Sequence, residues 1–414
     1  MPNTLLTIDM ITKEALRLAH EKATFIGTIN RQFDDSFGAS SGKIGDTLRI
    51  RLPSQYTLRE GSRVMDVQDS VQVSTALVVA TQDGVDMRFN SRELALDLDS
   101  FSQLHLEPAM ATLMSNIDSK ALVACTKSTF NFAGIPSSTI SSLTTPGAAR
   151  TRLNQNLAPK SDRRLQVDSG TMASLVTGTA AYFNPSNAIS EQYREGLVAR
   201  TAMADYYENE RIWTLPTVSS DTNSSMKLNS TAWISTLGQT VLGVTSVLNP
   251  NIPVGTNLTI AGIYDVHPET KQQLAQLKQL VVVSTAMATS SLTILPALYM
   301  SGPRQNFGSV YTATSLALST LSVSTLGAGA ALYNTSYPLG LMYHRDAYTF
   351  ATAELPLMSS AEKCVRRTYD GISLRLWQAP DIRNDELLTR IDILYGFAAI
   401  RPEWGCRLIG QNAN

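Results

Sequence analysis

The chain has 414 residues, of which 43% are apolar and 17% charged, and its 34 Lys and Arg are balanced by 35 Asp and Glu. This apolar share excludes intrinsic disorder for most of the chain. The formal net charge of −1 excludes, for the chain as a whole, the basic excess with which nucleic-acid-binding proteins displace counterions from phosphates. At about 100–200 residues per domain, the length predicts two to four domains.

The cysteines, the N-terminus and the length of the apolar runs indicate the cellular compartment of the protein. The three cysteines, Cys125, Cys364 and Cys406, are far apart in the sequence, which predicts a reducing compartment without a disulfide framework. The N-terminus carries Asp9 and has no basic residue ahead of its apolar positions, unlike a signal peptide. The longest apolar runs, such as residues 280–283, fall far short of the ~20 residues that cross a bilayer. We therefore expect a soluble, cytoplasmic protein without a membrane partner.

The first two predicted elements are a helix and a hairpin. Apolar residues at helical spacing predict a helix over Thr7–Ala19. Strict alternation predicts a strand over Thr47–Leu52, with its apolar residues on one face and Arg49 and Arg51 on the other. A second strand is predicted over Val71–Thr81.

An isolated two-stranded hairpin is marginally stable in water, so this one is expected to lean on another element or subunit. Within its own subunit it has little to pack on, so both of its faces are expected to find partners in an adjacent subunit. Arg49 and Arg51 are either solvated or paired with a neighbouring subunit. Together with Arg59, they are the candidate intersubunit contacts.

A long helix is predicted after the hairpin, between Asp97 and Thr129, with Pro108 in its first turn because proline is tolerated there. Its apolar residues fall on a single stripe. They are Met110, Leu113, Met114, Ile117, Ala121 and Cys125. On this stripe Cys125 is expected to serve as a small core hydrophobe.

The composition changes abruptly between Thr217 and Thr335. These 119 positions contain only seven charged residues, although the whole chain has 34 Lys and Arg and 35 Asp and Glu. The region is instead rich in Ser, Thr and Val, a composition that favours strands. We therefore predict an inserted all-β domain whose two ends lie close together and which folds when expressed alone.

The sequence contains little that predicts enzyme chemistry. The four histidines are widely separated, and no zinc-ligand spacing, GxSxG nucleophile motif or phosphate-binding Walker loop is present. The acidic pairs, such as Asp34-Asp35 and Asp385-Glu386, lie in polar, turn-like segments where solvated side chains are expected. No catalytic, cofactor-binding or metal-binding residue is predicted, and no cofactor.

Several segments, in their order along the chain, resemble the major capsid (coat) proteins of tailed double-stranded-DNA phages, in the short-tailed-phage branch. Residues 182–185 (YFNP) followed by 192–196 (QYREG) are similar to a stretch of the apical domain in that family. Residues 253–268 are similar to a strand pair in the inserted β-barrel domain of that branch. Residues 343–348 (YHRDAY), with Tyr395-Gly396 and residues 401–403 (RPE), resemble the closing segment.

The resemblance implies an α+β chain with the capsid fold named for the Hong Kong 97 phage. That fold has an N-terminal arm, an extended hairpin loop, a spine helix, peripheral and apical domains and, in this branch, an inserted all-β barrel. The implied boundaries are 1–45 for the arm, 46–96 for the hairpin loop and peripheral strands, 97–130 for the spine helix, 131–216 for the first apical part, 217–335 for the barrel and 336–414 for the closing segment.

The implied function is that of a structural protein, not an enzyme. Many copies form hexamers and pentamers of an icosahedral shell, which encloses double-stranded DNA without sequence-specific binding. Scaffolding protein and portal are the other implied partners, and the shell is assembled in the host cytoplasm and becomes the virion capsid. A soluble enzyme with an appended β-domain, a tail tube protein and a decoration protein are the alternatives.

Some capsids of this fold carry lysine–asparagine cross-links from the hairpin loop. No lysine lies between Lys43 and Lys120, so a non-covalent shell is expected.

Overall fold

The computed structural model describes residues 8–31, 47–59, 61, 65, 67, 72–90, 105–179, 204–215, 227–228, 238–245, 253–286, 291–309, 323–325, 337–358, 363–381, 383–384 and 386–411. The chain divides into two compact units. The first contains residues 1–51, 74–121 and 348–400, and the second contains residues 52–73, 122–347 and 401–414. No helix in the described ranges is long and apolar enough to span a membrane.

The first unit begins with helix α1, Ile8–Lys22, followed by a 3₁₀ turn at Ile26–Thr28. The helix forms because its apolar residues recur on one face, and the residues on that face are buried as the spacing predicts. Its described contacts include those with two strands of the sheet in this unit. The sequence therefore predicted this helix correctly, although it continues one turn beyond Ala19.

The hairpin consists of β1, Thr47–Arg51, and β2, Ser74–Val78, which pair antiparallel as a two-stranded sheet. The predicted second strand, Val71–Thr81, is divided: after β2 the chain leaves the hairpin and begins β3, Thr81–Asn90, which belongs to another sheet. The periodicity could not mark this division, because both strands are extended and only their partners differ.

That other sheet is the main sheet of the first unit, and its five strands are all antiparallel. Numbered along the chain, its strands after β3 are β16 (Tyr348–Ala353), β17 (Lys363–Tyr369), β18 (Ile372–Asp381) and β19 (Glu386–Ala399). The long strand β19 pairs with β3, β16 and β18. The loop between β17 and β18 is Asp370-Gly371, both at positive φ, the dipeptide that favours tight hairpins.

The long helix α2 spans Glu107–Ser128, with Pro108 in its first turn as predicted. All six residues of the predicted apolar stripe are at most 3% exposed. Cys125 is one of them, and burial raises the pKa of its thiol, so it serves as a core residue. The predicted start of this segment, residues 97–104, lies outside the described residues.

The second unit contains a six-stranded mixed sheet. Its strands are β4 (Phe132–Thr139), β5 (Arg163–Val167), β6 (Asp205–Glu208), β7 (Thr214–Leu215), β15 (Tyr337–His344) and β20 (Gly405–Gln411). Their order is β4-β20-β15-β5-β6, with β7 paired to the start of β15. Helices α3 (Thr144–Gln155) and α4 (Ser169–Thr179) contribute Leu153 and Leu175 to the core of this sheet. The Asp168 carboxylate caps α4 by accepting the Thr171 N–H at 3.2 Å.

The segment predicted as an inserted all-β domain forms a second, antiparallel sheet in this unit. Its described strands are β8 (Lys227–Leu228), β9 (Gln239–Thr245), β10 (Asn257–Val266), β11 (Gln273–Ala286), β12 (Ser291–Leu298), β13 (Phe307–Ser309) and β14 (Val323–Thr325). Their order is β8-β9-β12-β11-β10, and both β13 and β14 pair with β10. Among the described residues no pair joins the two ends of this order, so closure into a barrel stays a prediction.

The α+β class is confirmed. The described elements follow the predicted order of N-terminal helix, hairpin, long helix, mixed sheet, inserted strands and closing strands. The inserted motif at residues 253–268 is a single strand, β10, after a turn, and its partner β11 lies outside the motif. The motif at residues 182–196 lies outside the described residues.

Candidate intersubunit surface

The hairpin carries the predicted contact residues Arg49 and Arg51 on its exposed face. Arg49 lies opposite Ala76, and Arg51 lies opposite Ser74. Both arginines are exposed, and neither forms an ion pair with any other described residue. Two cations therefore lie on one face of β1, as the alternation predicts.

Arg59, the third predicted residue, lies eight positions beyond β1. It is exposed and takes part in an interaction within the chain. Its role as an intersubunit contact stays a prediction.

The apolar face of the hairpin corrects the expectation that both faces need a partner subunit. Ile50 is 5% exposed and Leu77 is fully buried, so the apolar face is already covered within the chain. Strand β2 crosses β19 at Gly396, where an added Cβ would lie only 2.0 Å from the Val78 carbonyl oxygen. Where β1 and β2 pair, only the face that carries Arg49 and Arg51 is left for a neighbouring subunit.

Beyond β1, the described residues 52–59 belong to no helix or strand. Large apolar side chains on this outer part of the hairpin face solvent. They are Tyr56, Leu58, Met65 and Val67, with exposed fractions of 59%, 90%, 78% and 79%. Monomeric soluble proteins rarely leave such a group uncovered, so the outer hairpin has the character of an interaction surface.

A buried carboxylate holds the N-terminal segment in the first unit, and the sequence analysis missed it. Asp118 on α2 accepts the backbone N–H groups of Phe25 and Ile26, both at 2.9 Å, and the Thr24 hydroxyl at 2.8 Å. These donors begin the 3₁₀ turn, where backbone N–H groups lack helical partners. A charged residue in the middle of an apolar helix stripe was the available signal.

Two further polar groups tie β3 to its surroundings in the same unit. Asp83 accepts from Lys120 Nζ and from the Tyr395 hydroxyl, each at 2.7 Å. Burial opposes ionisation of Asp83, but these two hydrogen bonds outweigh it, so the pKa of its carboxyl lies below its ordinary value. Burial and the bond to Asp83 raise the pKa of Tyr395, so this hydroxyl is a fixed donor.

In the second unit, a fully buried arginine joins the inserted sheet to the mixed sheet. Arg407 on β20 donates to the Asn257 side-chain oxygen at 2.8 Å, to the Gly255 carbonyl and to the Lys127 carbonyl at 3.0 Å. The Gln279 amide also bridges to the backbone of Phe132, accepting its N–H at 2.9 Å and donating to its carbonyl at 3.0 Å. These are single-position polar groups on strands, which no pairing rule could have found.

The remaining candidates for chemistry are dispersed. Within the described ranges no three His, Cys, Asp or Glu side chains are grouped in a way that could hold a metal ion. His344 accepts the Asp346 N–H through Nδ1 at 3.2 Å and packs edge-on against Trp404. Burial raises the pKa of Cys406 to about 12, so its thiol is an unreactive core group.

The second half of the chain is similar to a known protein family. Residues 216–410 match the model described as "P22 coat protein - gene protein 5". No curated protein matches the chain.

Solved structures similar to this chain include a phage capsid and a phage head. A Mycobacterium phage Che8 structure has 9% identity and a TM-score of 0.47, covering 93% of this chain and 90% of that one. The capsid of cyanophage P-SCSP1u has 11% identity and a TM-score of 0.42, with 89% and 85% covered. The head of Helicobacter pylori bacteriophage KHP40 has 10% identity and a TM-score of 0.40, with 89% and 84% covered.

The match over residues 216–410 confirms the resemblance to tailed-phage coat proteins that the sequence carries. It supports a major capsid subunit as the function, and a structural rather than a catalytic role. The match begins at the start of the charge-poor segment and ends in β20, so it includes both the inserted sheet and the closing strands. Phage capsid proteins are part of the virion, which agrees with the predicted localisation.

Proposed function

We propose that this chain is a major capsid subunit that self-assembles, as hexamers and pentamers, into an icosahedral shell around a double-stranded DNA genome. The observation that carries the proposal is the outer hairpin, whose described large apolar side chains are exposed in the single chain. In a chain whose residues 216–410 match a coat protein family, another subunit is the natural cover for this surface.

The proposed partners follow from the shell. The DNA is enclosed without sequence-specific binding, which the net charge of −1 supports, because strong phosphate binding would resist dense packing and release. A scaffolding protein and a portal are proposed on the resemblance alone, as is assembly in the host cytoplasm. The subunit itself is proposed to have no catalytic activity.

Residues 217–335 are proposed to be an inserted structural module. The residues that flank this segment support the proposal, because Leu215 pairs with Tyr337, and Thr214 with Pro338. A segment whose flanking residues are neighbours can be inserted into a fold without disturbing it. Expressed alone, residues 217–335 should give dispersed amide signals in a proton NMR spectrum. A fragment without dispersed signals would contradict these boundaries.

Sedimentation of the purified protein, followed by negative-stain microscopy, tests the main proposal. We expect particles or capsomers that sediment far ahead of a 45.0 kDa chain. A compact monomer or dimer with enzymatic activity would favour the enzyme alternative. Open tubes would favour a tail tube protein, and binding only to preformed shells would favour a decoration protein.

A further inference from the structure

A cavity of about 390 Å³ lies in the second unit, which is within the ~300–1,000 Å³ that small-molecule binding sites occupy. Three separate parts of the sequence line it. They are the base of the hairpin at residues 52–55 with Val73, residues from the segment 299–304 after β12, and Arg401 and Glu403 before β20. We call this cavity the arginine pocket, because Arg304 and Arg401 both line it.

The two arginines of the arginine pocket are stacked on aromatic rings. The Arg304 guanidinium lies 4.3 Å from the centre of the Tyr299 ring, and the Arg401 guanidinium lies 4.1 Å from the centre of the Trp404 ring. Stacking leaves the in-plane N–H donors of a guanidinium available and reduces the entropy lost when they bind a ligand. Both arginines are half-buried, and neither forms an ion pair with any other described residue.

Backbone and side-chain hydrogen bonds hold each of the three walls. The Asn306 side-chain oxygen accepts the Tyr299 N–H at 2.9 Å and so closes the loop that carries Arg304. The Leu52 N–H donates to the Val73 carbonyl at 2.8 Å at the base of the hairpin. The Trp404 indole N–H donates to the backbone carbonyl that follows α3, at 3.2 Å. The arginine pocket is therefore preorganised, which lowers the cost of binding a ligand.

Glu403 also lines the arginine pocket, and it leaves both arginines without an ion pair. No Glu403 oxygen lies within 4.0 Å of either guanidinium, since no such pair occurs among the described residues. Burial raises the pKa of the Glu403 carboxyl, although the charges of Arg401 and Lys278 oppose this. A carboxyl that is harder to ionise competes less with an incoming anion for the two guanidinium groups.

The chemistry of the walls indicates the class of ligand. A guanidinium binds the planar carboxylate or the phosphate group through two parallel hydrogen bonds. Next to the two guanidinium groups lie apolar side chains. They are Leu52, Pro53, Val73 and Pro303. A few convergent polar groups beside an apolar wall are typical of a site for a small organic molecule.

We propose that the arginine pocket binds a small organic anion, a carboxylate or a phosphate monoester that carries an apolar group. Its oxyanion binds Arg304 and Arg401, and its apolar group packs on the base of the hairpin. A bound molecule joins the hairpin base to two other segments of the second unit and holds it in place. All of these groups belong to one chain, so binding does not depend on the proposed assembly.

Titration calorimetry of the purified full-length chain with benzoate and with phenyl phosphate tests the proposal. We expect at least one of these probes to bind with a dissociation constant below about 1 mM. Acetate and inorganic phosphate lack the apolar group, and benzyl alcohol lacks the charge, so each should bind at least tenfold more weakly. The tighter of the two probes identifies the oxyanion that the arginine pocket prefers.

Variants of the charged groups should change the affinity in opposite directions. Arg304→Gln and Arg401→Gln should each weaken binding by about tenfold or more, because a hydrogen bond to a charged group is lost. Glu403→Gln removes the competing carboxyl and should bind the probe more tightly, a gain that an unfolded chain cannot show. Lys160→Gln is the matched control, an exposed cation of the same unit outside the arginine pocket, and it should bind like the wild type.

Hydrogen exchange locates the bound probe. In the wild-type chain, the probe should slow exchange of the amides at residues 52–55 and 299–304, which belong to two different walls. Amides in the first unit should exchange as before. Circular dichroism of each variant establishes that it is folded.

The absence of binding by either probe at concentrations tenfold above this dissociation constant would overturn the inference. It would also be overturned by equal affinity in Arg304→Gln, Arg401→Gln and the wild type, or by binding without slower exchange at residues 52–55 and 299–304. A chain that binds the probe but forms no particles would refute the proposed function alone. Particles from a chain that binds neither probe would refute this site alone.

Discussion

Removal of the Asp118 carboxylate should release the N-terminal segment of the first unit. In Asp118→Ala, the N–H groups of Phe25 and Ile26 lose their acceptor, while both residues are fully buried in the native chain. A buried N–H left without a partner costs ~1–3 kcal/mol, and the two together cost ~2–6 kcal/mol. Alanine regains ~0.5 kcal/mol because it favours a helix more than aspartate does. The net loss is expected to be about 3 kcal/mol.

Because the chain has two compact units, this loss is best measured locally, by hydrogen exchange of the amides at residues 24–28. A change of about 3 kcal/mol corresponds to roughly a hundredfold faster exchange, since each 1.4 kcal/mol is about tenfold. Amides in the second unit should keep their protection. Asp118→Asn, which retains one acceptor oxygen, should show an intermediate effect.

Asn116→Ala is the control, on the same helix two positions away. The Asn116 side chain is exposed and, among the residues that the structure describes, donates only to the Thr112 carbonyl, at 3.0 Å. We expect it to change stability by no more than ~0.5 kcal/mol. If Asp118→Ala left the exchange at residues 24–28 as slow as in this control, the carboxylate would not be what anchors the N-terminal segment.

Four further predictions concern the hairpin, the shell and the response to pH. Arg49→Glu with Arg51→Glu should leave the melting temperature nearly unchanged but prevent or misdirect assembly; normal shells in normal yield on a sucrose gradient would mean that these arginines are only solvated. Assembled shells should run as 45.0 kDa chains on a reducing denaturing gel, because the hairpin region lacks lysine, and a stable ladder would contradict this. Gly396→Ala should destabilise the first unit by several kcal/mol, since its Cβ would overlap the Val78 carbonyl, and an unchanged urea midpoint would show that β2 can move away. Burial holds the pKa of His344 below its ordinary value of 6.5, so the contribution of neutral His344 to stability is present above about pH 6.5 and is lost as the pH falls below that. His344→Gln should flatten this part of the curve of melting temperature against pH. An equal pH dependence in the wild-type and the variant protein would show that His344 is not the group responsible.

The pH prediction involves every charged group near His344. Asp346 and Asp162 favour its protonation, whereas Arg163 and Arg164 oppose it, and burial is the largest effect. The Asp346 N–H that donates to Nδ1 also requires this nitrogen to be unprotonated. Protonation therefore removes a hydrogen bond at the start of the 3₁₀ turn at residues 345–347 as well as placing a charge in a buried position.

The sequence alone determined those features that arise from local periodicity and composition. The stripe on α2, the alternation in β1 and the charge-poor strands between residues 217 and 335 each reflect burial of one face of an element, which repeats at a fixed spacing along the chain. The Asp370-Gly371 turn belongs to the same class, because positive φ at two successive residues is a local requirement.

Only the tertiary structure decided which elements meet. The run Val71–Thr81 became two strands because β2 and β3 take partners far apart in the sequence, and the backbone at the end of β2 lies against Gly396 in a distant strand. Asp118 and Arg407 likewise bind partners that lie roughly a hundred positions or more away in the sequence. A single polar residue leaves no periodic trace in a sequence, so the partner that makes it structural or functional becomes visible only when the chain is folded.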